Sequence, residues 1–73
     1  MDKNDAIALS THTRSIVTQL NEAATIARNG CDKNELGHYL EKFGHSMTIL
    51  FDILDTIYEQ FPDIRPEDYE RLE

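Results

Sequence analysis

The sequence predicts an all-α fold: an antiparallel two-helix hairpin plus a short C-terminal helix, dimerising into a four-helix bundle. Three observations predict it. Apolar residues recur every three or four positions along Leu36, Leu40, Phe43, Met47, Leu50, Leu54, Ile57 and Phe61, the period of a helix with one packed stripe. A second stripe, built of smaller residues, runs upstream through Ala6, Leu9, Thr13, Ile16, Leu20, Ala23 and Ala27. Only a short polar turn separates the two, and helices joined by so short a turn are antiparallel neighbours.

Helix 1 is expected over about residues 5–29. Asn4, Asp5 and Ser10 can each cap its start, and Gly30 is read as a left-handed stop residue. The turn covers 30–32. Helix 2 opens with Asp32 as N-cap and Glu35 three residues on, a capping-box-like pair that satisfies orphan backbone amides. It continues to about residue 61, where Pro62 pushes its predecessor out of helical geometry. Each helix is then ~40 Å long at 1.5 Å per residue. A short acidic helix over about 65–72 is suggested by Pro66 at a first helical position, with Glu67 and Asp68 in the first turn.

In an antiparallel hairpin the residues near the turn face one another. Ala23, Ala24 and Ala27 should therefore oppose Gly37 and Gly44, with small residues allowing close backbone approach. At the open end Leu9, Ile16 and Val17 should meet Leu50, Leu54 and Ile57. Helix 2 nevertheless carries more apolar surface than one helix covers, because Tyr39, Ile49, Phe51, Ile53 and Tyr58 flank its stripe. A second chain is the expected cover, with Tyr39, Phe43, Leu50, Phe51, Ile53, Leu54 and Tyr58 at the dimer interface. The competing arrangement folds the tail back through Ile64, Tyr69 and Leu72 and leaves a monomer.

Size favours assembly. The 73 residues form one domain, 1–73, in a range where a single core yields only ~3–5 kcal/mol without a disulfide, metal or partner. Cys31 is the only cysteine, which excludes an intramolecular disulfide and fits a reducing, cytoplasmic location. Met1 to Ala8 carries charges where a secretory signal needs an apolar core, and no apolar run approaches the ~18–20 residues that span a bilayer.

Net charge is −7 and it is unevenly placed. Residues 52–73 hold eight acidic residues against Arg65 and Arg71, while the rest of the chain is close to neutral. Nucleic-acid binding needs clustered Lys and Arg, and no such cluster is present. The acidic end reads as a solubilising surface, or as a dock for a basic protein patch or a mimic of nucleic-acid charge.

No catalytic, cofactor or metal site is expected. Glu35 and His38, with Glu41 and His45 further along, have the spacing of carboxylate-bridged metal pairs, but His38, His45, Asp52 and Glu59 recur every seven residues opposite the apolar stripe. Cys31 sits at a helix start without an identifiable base or oxyanion site. What is left is surface. The outward face of helix 1 shows Thr11, Ser15, Thr18, Asn21 and Thr25 with few charges, a face that is cheap to desolvate. The resulting expectation is a small acidic non-enzymatic module that binds and modulates another protein, by inhibition, antagonism or chaperoning, as a homodimer. Arg14, Thr18, Glu67 and Asp68 are the partner-contact candidates. The alternative is a hairpin-dimer nucleic-acid-binding regulator, which would rely on Arg14 and Arg28, or an acidic mimic that blocks a basic protein surface. Small phage- or plasmid-encoded regulators share these dimensions, a comparison of architecture alone.

Overall fold

In the computed structural model, which describes residues 1–69, two helices account for most of the chain. Helix α1 spans Lys3–Gly30 and α2 spans Lys33–Gln60, followed by a 3-10 turn, η1, over Pro62–Ile64. Among the described residues there is no strand, and no helix is long and apolar enough to cross a membrane. The hairpin measures 45 × 21 × 17 Å.

The helix ends follow from their caps. α1 starts earlier than its Asn4, Asp5 and Ser10 candidates suggest, because Asp2 takes an extended conformation and its carboxylate accepts from the Asp5 N–H at 2.8 Å. At the other end Gly30 stays inside the helix and has no positive φ, so the left-handed stop does not form. The chain instead turns through two extended residues. Cys31 (φ −99°, ψ 148°) closes α1 by donating its N–H to the Ala27 carbonyl, and Asp32 (φ −72°, ψ 174°) opens α2 by accepting from the Glu35 N–H. Pro62 ends α2 by displacing Phe61 from helical geometry, and it then serves as the first residue of η1. The expected helix over 65–72 is absent from 65–69, where a turn closes with the Tyr69 N–H on the Pro66 carbonyl; residues 70–72 lie outside the described residues.

The core sits at the open end of the hairpin. Ala6, Phe51, Leu54, Ile57 and Tyr58 form its buried cluster, with Val17, Met47, Phe61, Ile64 and Tyr69 packed against it. Toward the turn only Ala24 is buried, while Leu36, Leu40 and Phe43 are half-covered. On α1 the buried row is Ala6, Ser10, Thr13 and Ala24, with Val17 and Leu20 half-buried. Leu9 and Ile16, expected in the core, are exposed. Both rows repeat every seven residues and share Ala6, Thr13 and Leu20, so periodicity alone does not choose between them. Bulk chooses. Phe51 and Tyr58 flank the α2 stripe on one side, and burying them requires small residues on the matching side of α1, where Ser10 stands at the open end. The two buried hydroxyls cost little, because Ser10 donates to the Ile7 carbonyl and Thr13 to the Leu9 carbonyl within the helix.

The glycines do not serve close packing. A Cβ added at Gly37 or Gly44 would meet nothing within 4 Å, so neither opposes the Ala23–Ala27 segment.

These features generate two predictions. Leu54, 1% exposed, should cost about 2–5 kcal/mol when cut to alanine, most of the stability of so small a core, whereas Gly44→Ala should add about 0.5–1 kcal/mol. Urea titrations followed by circular dichroism measure both, and a destabilising Gly44→Ala would show that the glycine has a packing role. The second concerns acid. The Glu35 backbone N–H on Asp32, and the Lys3 ammonium hydrogen-bonded to Asp63, hold those two carboxyls below their ordinary value of 3.8. A lowered folded-state pKa contributes stability that is fully present above the unfolded value and is lost as pH falls through the folded one. The urea midpoint should therefore fall as pH drops below about 4, and Asp32→Asn, which caps without a charge, should remove part of that fall. An identical profile for Asp32→Asn would remove Asp32 from the account.

Candidate functional site

The tail makes the site. After η1 the chain folds back over one side of the hairpin, held by Tyr69. Its hydroxyl donates to Asp55 Oδ1 at 2.8 Å, and its ring meets Tyr58 edge-on at 4.9 Å between centroids and Phe51 at 6.4 Å. The Arg65 guanidinium lies 5.3 Å from the same ring, in cation–π range. Within η1, Asp63 pairs with Lys3 and ties the start of α1 to the same region.

Between this tail and α1 lies a groove of about 450 Å³. Its floor is apolar, made by Val17, Phe51 and Leu54. One wall is the α1 face that carries Thr11, Arg14, Ser15 and Thr18, and the other is Asp68 with Tyr69. Charge of opposite sign therefore stands on the two rims over an apolar floor. Thr18 donates to the Arg14 carbonyl at 3.3 Å, a bond that fixes the Thr18 hydroxyl and leaves the guanidinium exposed. This arrangement suits binding: an apolar side chain on the floor, a carboxylate or carbonyl for Arg14 and a donor for Asp68.

Three of the four partner-contact candidates, Arg14, Thr18 and Asp68, thus surround one groove, and Glu67 does not line it. Thr11, Ser15, Val17 and Tyr69 complete it. The hydroxyl row on α1 points to Thr11 and Ser15, but the role of Tyr69 depends on the tail folding back, which no local pattern announces.

The residues expected between two copies are divided. Phe51, Leu54 and Tyr58 are buried within one chain, the first and last beneath the Tyr69 ring, so they are not available to a second copy. Phe43 and Leu50 are half-buried, with Phe43 stacked on Tyr39 at 6.4 Å. Tyr39 and Ile53 remain exposed. Glu35, His38, Glu41, His45, Asp52 and Glu59 are all exposed on α2, and among the described residues no three His, Cys, Asp or Glu side chains form a metal-sized group. Cys31 is a half-buried free thiol at the turn, the opposite end of the hairpin from the main core.

Set against known proteins, the chain matches no family model, no curated protein and no solved structure. The functional reading therefore rests on the geometry.

Tyr69→Phe removes the bond to Asp55 and keeps the ring, and it should cost about 1 kcal/mol. Tyr69→Ala also strips the ring from Phe51 and Tyr58 and should cost more. Equal urea midpoints for wild type and Tyr69→Ala would mean that the tail is not anchored through this residue.

Proposed function

We propose that this chain is a small acidic, non-enzymatic protein-interaction module of the cytoplasm that binds another protein through the Arg14–Asp68 groove and modulates it by occupying its surface. In this reading it works as a homodimer, two hairpins forming a four-helix bundle. The observation that carries the reading is the convergence of Arg14, Thr18 and Asp68 over the Phe51–Leu54 floor. Buried apolar floors rimmed by an arginine are the usual make-up of sites where a few residues carry most of the binding energy. A partner segment with one large apolar side chain beside an acidic residue fits the chemistry. The single cysteine supports the cytoplasmic assignment, since a reducing compartment suits a lone free thiol.

The nucleic-acid alternative lacks a footprint of this kind. Arg14 and Arg28 are exposed on α1, but Glu22 shares the outward face and no third basic residue joins them along the helix after Lys3.

The test is affinity purification from the native host with wild type, Arg14→Glu and His38→Ala, the last lying on the outer face of α2. One protein should be retained in stoichiometric amount by wild type and His38→Ala, and its retention should fall about tenfold or more with Arg14→Glu. Equal retention by Arg14→Glu sinks the groove as the contact site. Stoichiometric retention of RNA or DNA instead of protein would favour the alternative.

A further inference from the structure

The two broad faces of the hairpin are not equivalent. One carries the groove and the tail. On the other, the flank of α1 opposite Arg14 and Thr18 presents Leu9 and Ile16, and the flank of α2 opposite Phe51 and Tyr58 presents Tyr39, Ile49 and Ile53. These five side chains are 39–50% exposed. Acid stands only at the two ends of the strip, Asp5 near the open end and Glu35 beside Tyr39 and Lys42 near the turn. Between them its other members are His12, Gln19 and Ala23 on α1 and Lys42, Ser46, Thr56 and Gln60 on α2.

We infer that a second copy of this chain docks on this groove-free face, so that the homodimer proposed above closes through Leu9, Ile16, Tyr39, Ile49 and Ile53 and carries its two grooves on opposite outer sides. The inference rests on that reading for the existence of a dimer and adds which surface forms it. Three observations select a second copy as the occupant. A hairpin 45 Å long and 17–21 Å across has room on one side for the footprint of about 800 Å² per partner that a stable interface needs. Each copy carries a net charge of −7, and two such chains approach most closely where acid is sparse, as it is along this strip between Asp5 and Glu35 at its ends. The seam behind it is unfinished, since Leu20, Phe43 and Leu50 are only half-buried between α1 and α2, and a facing helix pair would complete their burial. A twofold axis through the face needs only that each strip match itself, and a strip whose middle is mostly apolar does so without relying on paired charges.

Light scattering on size-exclusion fractions, at several micromolar concentrations and two salt levels, tests this. The full chain should elute with the mass of two copies and associate more tightly at higher salt, because screening relieves the repulsion between acidic chains without weakening apolar contacts. Ile53→Glu should raise the dissociation constant by about a hundredfold or more while the helical dichroism is retained. Thr18→Glu, on the groove face, should leave the mass at two copies. If Ile53→Glu loses its helical signal, the milder Ile49→Ser/Ile53→Ser variant decides by the same mass measurement. A folded monomer at every concentration overturns both this inference and the dimer it rests on. A dimer that survives the changes at Ile49 and Ile53 overturns the face alone and leaves the dimer standing, and its dissociation with Thr18→Glu would move the contact to the groove side.

Discussion

The fold depends on one packing constraint: the bulky stripe of α2 is met by a helix that offers almost no side chain in return. Ala6 is fully buried against Phe51, Leu54, Ile57 and Tyr58, and its row continues with Ser10, Thr13 and Ala24. Small residues let the two backbones approach, so the volume between them is filled from α2. The hydroxyls of that row bond to their own helix, so the close approach leaves no buried side-chain polar atom without a partner among the described residues. The same constraint turns Leu9 and Ile16 outward. It also concentrates burial at the open end, where α2 has its largest side chains and where the tail adds a second layer.

That second layer gives the molecule two unlike sides. A lone hairpin is close to symmetric about the plane of its helices. Here the segment after Pro62 covers one side through Tyr69 and leaves the other bare. Covering is also what makes the groove: without Asp68 and Tyr69 the hydroxyl face of α1 would be an open convex surface. Tyr69 thus has two roles, since the ring that seals Phe51 and Tyr58 is also a wall of the candidate site.

Legibility in the sequence followed from how local each cause is. The α2 stripe, the Asp32–Glu35 cap and the stop at Pro62 are set by residues within one or two turns, and they can be read directly. The phase of α1 cannot. Leu9 with Ile16 and Ser10 with Val17 both continue a seven-residue repeat from Ala6 and Thr13, and hydrophobicity points to the wrong pair because the winning row contains polar residues. Only the bulk of Phe51 and Tyr58, more than thirty residues away, separates the alternatives. The glycines are hard to read for a related reason: glycine inside a helix suggests close approach, yet Gly37 and Gly44 face open space. At the site, the sequence marks Arg14 and Thr18 as an exposed, lightly charged helix face and Asp68 as part of an acidic end. Their juxtaposition depended on a chain reversal at Pro62 whose landing place is tertiary.

The chemistry of the two faces argues for a division of labour. The bare face is long and apolar, with acid only at its ends, suited to a permanent contact whose strength comes from area. The groove is short, with one arginine and one aspartate over a floor of about three side chains, and it suits selection more than strength. A contact of that size buries too little for tight binding by itself. Under the proposed arrangement the dimer carries two grooves on opposite outer sides, so a partner that is itself dimeric, or that repeats the recognised segment, gains from the second attachment without any new contact. A partner with a single segment does not. Assembly through the bare face would in this way convert a weak groove into a discriminating one, with the −7 charge of each chain keeping all other surfaces apart.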